Sequence, residues 1–140
     1  MPTLDHVALA VREPARSLAF YRDTLGVDGE VREEEYGFVI VTTSGLSFTL
    51  FRGEPPADMG DFHVGVGLAD AAAVAAARDA FRAQGIVEHE WCDEPGYASV
   101  KVLDPDGYVV EVSWDISGPF SPAHPSPSDE LDRSTRRPSR

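Results

Sequence analysis

Along the chain, two-residue alternation and helical spacing follow one another in an order that occurs twice. Residues 4–11 place Leu4, His6, Ala8 and Ala10 on one face of a strand and Val7, Leu9 and Val11 on the other. Residues 15–25 carry Leu18, Phe20, Tyr21 and Leu25 at helical spacing; Pro14 suits the first turn and Gly26 the stop. Strands are expected at 27–35, 37–43 and 46–52, the last two joined by a tight turn at Ser44-Gly45. A linker at 53–60, with two prolines, two glycines and acidic residues, ends this run.

The same order then begins again. A strand is expected at 62–68 and an alanine-rich helix at 71–84, with Asp70 as N-cap and Gly85 as stop. Strands follow at 86–91, 97–103 and 108–114. Between the last two lies Asp104-Pro105-Asp106-Gly107, in which Pro105 pre-sets a turn and Gly107 supplies a positive φ. That turn fixes the register of the final strand. Val110 and Val112 share one face of it, and Val109, Glu111 and Ser113 the other.

Asp5-His6-Val7 aligns with Phe62-His63-Val64, and Arg22-Asp23 with Arg78-Asp79, so the repeat is an internal duplication. The expected fold is α+β: two tandem βαβββ modules forming a curled eight-stranded sheet around a cleft. One domain spans residues 1–116, with module 1 at about 1–53 and module 2 at about 61–116. Residues 117–140 interleave proline and serine and end in Arg133, Arg136, Arg137 and Arg140. They cannot bury a face and are expected to form a disordered tail. His124, within it, is given no role.

Charge narrows the partners. A formal net charge of −12, from 24 acidic and 12 basic residues, argues against nucleic acid or an anionic membrane surface. The single cysteine, Cys92, cannot form an intrachain disulfide; the first twenty residues show no basic start followed by an apolar run, and no stretch approaches about eighteen apolar residues. A cytoplasmic protein with a small-molecule partner is the expectation.

In such modules, residues on the first and last strands point to the concave face. His6 and His63 are first-strand residues; Thr49 and Glu111 are last-strand residues. Two imidazoles and one carboxylate are the donor set of a mononuclear divalent-metal site that keeps positions open for substrate or water. His89 has no counterpart in the other module and reads as a surface residue. Cys92 lacks a base partner and reads as an inert, buried thiol. Phe38, Phe48, Phe51, Trp91, Tyr97 and Trp114 read mainly as core, with two or three lining a cavity.

Residues 4–11, the run from Arg16 to Gly26, and the run from Asp104 to Glu111 together give the chain a resemblance to the vicinal oxygen chelate superfamily. That superfamily holds glyoxalase I, extradiol dioxygenases, fosfomycin resistance proteins, methylmalonyl-CoA epimerase and bleomycin resistance proteins. The likeness runs over residues 1–115. It implies a metal-dependent enzyme acting on a small oxygen-rich substrate, dioxygenase-like or fosfomycin-resistance-like. The implied ligands are His6, His63 and Glu111, around one divalent ion (Fe, Mn, Zn or Ni, not distinguished). The alternatives are a non-catalytic drug- or metabolite-binding protein of the bleomycin-resistance type and a glyoxalase I-like lyase. Thr49 falls where glyoxalase I has a further carboxylate, which weakens the lyase reading.

The three-ligand members carry a tyrosine ten residues before the carboxylate ligand, where this chain has Lys101. Lys101 is therefore the catalytic candidate. It would hold an anionic substrate group, or act as acid or base if burial lowers its pKa; a solvent-facing lysine is the alternative. Small members also pair as homodimers with shared sites. His6 then comes from one subunit, with His63 and Glu111 from the other.

Overall fold

The computed structural model describes residues 1–118. The tail expected at 117–140 lies outside the described residues from 119 onward, as does His124. The order is β1 (His6–Val11), α1 (Pro14–Ala19), a π-helical turn (Phe20–Thr24), β2 (Gly29–Glu34), β3 (Gly37–Thr42) and β4 (Ser47–Arg52). There follow β5 (His63–Gly67), α2 (Ala71–Ala83), β6 (Glu88–Glu94), β7 (Tyr97–Leu103) and β8 (Val109–Asp115). The eight strands form two open sheets of four rather than one of eight, ordered β1-β4-β3-β2 and β5-β8-β7-β6. In both, the first strand of the module lies beside the last. This is an α+β fold of two βαβββ modules.

By contacts the chain divides into two compact units. The first comprises Met1–Val64 with Leu103–Val109; the second comprises Gly65–Val102 and the described residues from Val110 on. The turn between β7 and β8 thus belongs with the first unit, although the repeat places it in module 2.

In the first unit, β1 and β4 pair in parallel with Leu9 opposite Leu50 and Ala8 opposite Thr49. Leu9, Val11, Ile40, Phe48 and Leu50 are buried, so that sheet face holds the core. Tyr21 packs edge-on against Phe48, centroids 4.8 Å apart, and Phe20 against Tyr21 at 5.3 Å. Pro14 opens α1, where its missing N–H costs nothing. The helix ends by widening: Leu25 N–H reaches the Phe20 carbonyl at 3.0 Å and Val27 N–H the Tyr21 carbonyl at 2.9 Å. That closure uses the backbone of Val27, which is why β2 begins at Gly29 instead of 27. Gly37 opens β3 where no side chain fits, since a Cβ there would fall 2.0 Å from the Leu50 carbonyl oxygen.

In the second unit the core is aliphatic: Val74, Val100, Val102, Val110 and Val112, with Phe81 and Ala98. Asp70 caps α2 as expected, its Oδ1 accepting the Ala73 N–H at 2.7 Å. Ile86 N–H closes the helix end on the Phe81 carbonyl at 2.9 Å, so β6 starts two residues later than the sequence suggests. Arg78 links helix to sheet. It donates to Glu88 at 2.6 and 3.1 Å and lies 4.3 Å over the Trp91 ring.

Candidate functional site

The Asp104–Gly107 turn departs most from its sequence reading. Asp104 and Asp106 are only 5% and 7% exposed, which two neighbouring carboxylates tolerate only if well hydrogen-bonded. They are. Asp104 Oδ1 accepts the N–H groups of Asp106 and Tyr108 at 2.8 and 2.9 Å, and its Oδ2 accepts the Tyr21 hydroxyl at 2.8 Å. Asp106 accepts the Arg12 N–H at 3.1 Å and the Ser17 hydroxyl at 3.2 Å, with the Arg12 guanidinium 3.6 Å away. Burial nonetheless raises the Asp104 pKa, and burial beside Asp104 raises that of Tyr21. The Tyr108 hydroxyl donates to the Ala10 carbonyl at 2.7 Å, tying the turn to β1. These are holding contacts, not reactive groups.

The expected ligands sit on separate elements. His6 is exposed at the start of β1, and its Nδ1 lies 2.5 Å from Asp5 Oδ1. His63 is exposed at the start of β5, and its Nδ1 lies 2.9 Å from the Asp61 carbonyl oxygen. An acceptor at Nδ1 fixes the tautomer that carries the ring's lone pair on Nε2. Glu111 is half-buried on β8, and its Oε1 accepts two hydroxyls, Tyr97 at 2.6 Å and Ser99 at 2.9 Å. Donating to Glu111 is the main cause of a raised Tyr97 pKa. Among the described residues, no group of three or more His, Cys, Asp or Glu side chains is gathered as a metal-holding cluster.

Lys101 stands opposite Glu90 in the β6–β7 pairing and donates to it at 3.2 Å. That partner is the main cause of a raised pKa, which favours the ammonium form. Cys92 is half-buried, and burial first and Glu94 second push its thiol pKa up, as for an unreactive cysteine. His89 is exposed at the irregularity between Glu88 and Glu90.

A pocket of about 360 Å³ lies within the first unit. Ala8, Ala10, Phe51, Met59, Phe62 and Tyr108 line it, with Asp58 its charged residue. Pairing puts His6, Ala8 and Ala10 opposite Ser47, Thr49 and Phe51, so the pocket opens on the same sheet face as His6.

The sequence matches the model of the Glyoxalase/Bleomycin resistance protein/Dioxygenase superfamily over residues 3–112. The chain belongs to that superfamily. The glyoxalase-superfamily fold also appears in its structural neighbours. A lactoylglutathione lyase from Agrobacterium tumefaciens is 24% identical with a TM-score of 0.63, covering 79% of this chain and 92% of that one. The fosfomycin resistance protein FosX from Listeria monocytogenes is 16% identical with a TM-score of 0.68, covering 81% and 93%. TnmS3, an antibiotic binding protein from a Streptomyces species, is 18% identical with a TM-score of 0.63, covering 82% and 97%. Identities this low show the glyoxalase-superfamily fold and leave activity open. No protein of curated function matches the sequence.

Two features of this member lay beyond the sequence reading: the aspartates as anchors, and the hydroxyls of Tyr97 and Ser99 on Glu111. A preference of Asp for side-chain-to-backbone turns was the available signal for the first. Nothing in one sequence gives the cross-strand reach of the second.

Proposed function

We propose that the protein is a metal-dependent member of the glyoxalase superfamily that acts on a small oxygen-rich substrate. His6 and His63 through Nε2, and Glu111 through its carboxylate, would hold one divalent ion. The observation that supports the reading is shared by all three residues. Each is positioned by hydrogen bonding: His6 to Asp5, His63 to Asp61, and Glu111 from Tyr97 and Ser99. Metal ligands are oriented by such outer contacts, and this donor chemistry suits a divalent ion. When bound, the ion supplies Lewis-acid stabilisation of charge on two neighbouring substrate oxygens. The chain's own part is to fix the two imidazole tautomers, to orient the carboxylate, and to offer the Lys101 ammonium to an anionic substrate group.

The protein would act as a homodimer with shared sites, His6 from one subunit and His63 with Glu111 from the other. A melting experiment tests the ion. In protein stripped of metal, one of Mn²⁺, Fe²⁺, Zn²⁺ or Ni²⁺ raises the melting temperature of the wild type and leaves His63→Ala unmoved, because an ion that binds only the folded state stabilises it. No shift with any of the four overturns the reading. A second reading, a binder without turnover, is favoured by the apolar pocket of the first unit.

A further inference from the structure

We infer that the pocket of the first unit is a binding site for a compact aromatic amine, with its ring against β1 and its cationic head beside Asp58. Its size, about 360 Å³, lies at the small end of ligand cavities, which suits one or two rings. The floor is open because β1 presents Ala8 and Ala10 there, where larger side chains would fill the space. One wall is set in advance: the Tyr108 hydroxyl is tied to the Ala10 carbonyl at 2.7 Å, and Phe62 stands edge-on to that ring at 6.4 Å. Phe62 is 48% exposed, which leaves its ring accessible to a ligand in the pocket. Such a wall offers aromatic edges and faces to a ring, and the faces attract a cation.

Charge then selects the ligand. Asp58 is the one charged lining residue, and no arginine or lysine lines the pocket among the described residues. Asp58 is kept in place by the Gly60 N–H, which it accepts at 2.9 Å. An anionic group entering here would meet a carboxylate without a compensating cation, inside a chain of net charge −12. Acidic compounds are therefore excluded from this pocket. Binding needs only the first unit and is independent of the metal proposed above.

Three ring compounds of equal size test it on the full-length protein as purified, with and without chelator: benzylamine, benzyl alcohol and benzoate. Benzylamine shifts the Ala8 and Ala10 methyl resonances and binds about fivefold tighter than benzyl alcohol, the ratio expected of a charge pair worth about 1 kcal/mol. Benzoate produces no shift. Asp58→Asn brings benzylamine down to the level of benzyl alcohol, and Ala8→Leu, on the exposed sheet face, removes both. Methyls unmoved by benzylamine, or benzoate binding as well as the amine, would overturn the assignment. A result unchanged by chelator leaves the metal reading untouched, so the two fail separately.

Discussion

Asp104, Asp106 and Glu111 lie within eight residues of one another, yet the chain uses their carboxylates in opposite ways. The aspartates are buried and spend their oxygens on the Tyr21 and Ser17 hydroxyls and on backbone N–H groups. Glu111 is half-buried, and the two hydroxyls that hold it converge on one oxygen, Oε1. A carboxylate buried among backbone and side-chain donors serves the fold; a half-buried one held by two hydroxyls is oriented by them. Position along a hairpin does not separate these roles. The depth at which each carboxylate lies does.

Mutations sharpen that contrast, and the largest effect belongs to the turn. Asp104→Ala leaves the Tyr21 hydroxyl and two N–H groups without their acceptor in a buried place, and should cost about 3 kcal/mol or more in urea unfolding. Tyr21→Phe removes one of those donors and should cost about 1–2 kcal/mol by the same measurement. Glu111→Gln should behave in reverse. The amide oxygen still accepts from Tyr97 and Ser99, so stability stays within about 1 kcal/mol while metal binding is lost. If Glu111→Gln unfolds the protein as Asp104→Ala does, the contrast between the carboxylates fails. Tyr97→Phe should weaken metal affinity by about 10- to 100-fold in chelator competition without comparable loss of stability.

The smallest effect is a pH dependence. Glu88 is held down to about 2 from 4.5, chiefly by the Arg78 hydrogen bond. A lowered folded-state pKa gives stability that is present above 4.5 and lost as pH falls toward 2. Asp104 runs the other way: its pKa is raised by burial, so its contribution is present below 3.8 and lost as pH rises through the folded value. Glu88→Gln should therefore flatten the acid limb of a stability–pH curve. An unchanged limb would show that the Arg78 contact is a surface pair of no consequence.

Much of the fold was legible because alternation and stop signals are local. Asp70, Gly26 and Gly85 mark helix ends where expected, and Val110 and Val112 take the buried face as expected. Residues 27 and 86 look like strand starts, but helix closure through Val27 N–H and Ile86 N–H consumes them. In the turn, Pro105 and Gly107 drew attention to backbone shape, while the anchoring work falls to aspartates whose partners lie more than eighty residues away. Lys101 stands out in the sequence by one position in a motif. Its actual partner, Glu90, is set by the pairing of β6 with β7, which a single sequence does not print.

Shared sites make a further expectation sharp. Mixing His6→Ala with Glu111→Ala subunits should restore about a quarter of wild-type metal, because half the random dimers carry one intact site. The most direct measurement is elemental analysis of the wild type, His6→Ala, His63→Ala and Glu111→Ala, all purified without chelator. The account predicts a stoichiometric divalent ion in the wild type and its loss from each variant with the fold retained. A metal-free wild type, or full metal in the Glu111 variant, would contradict it.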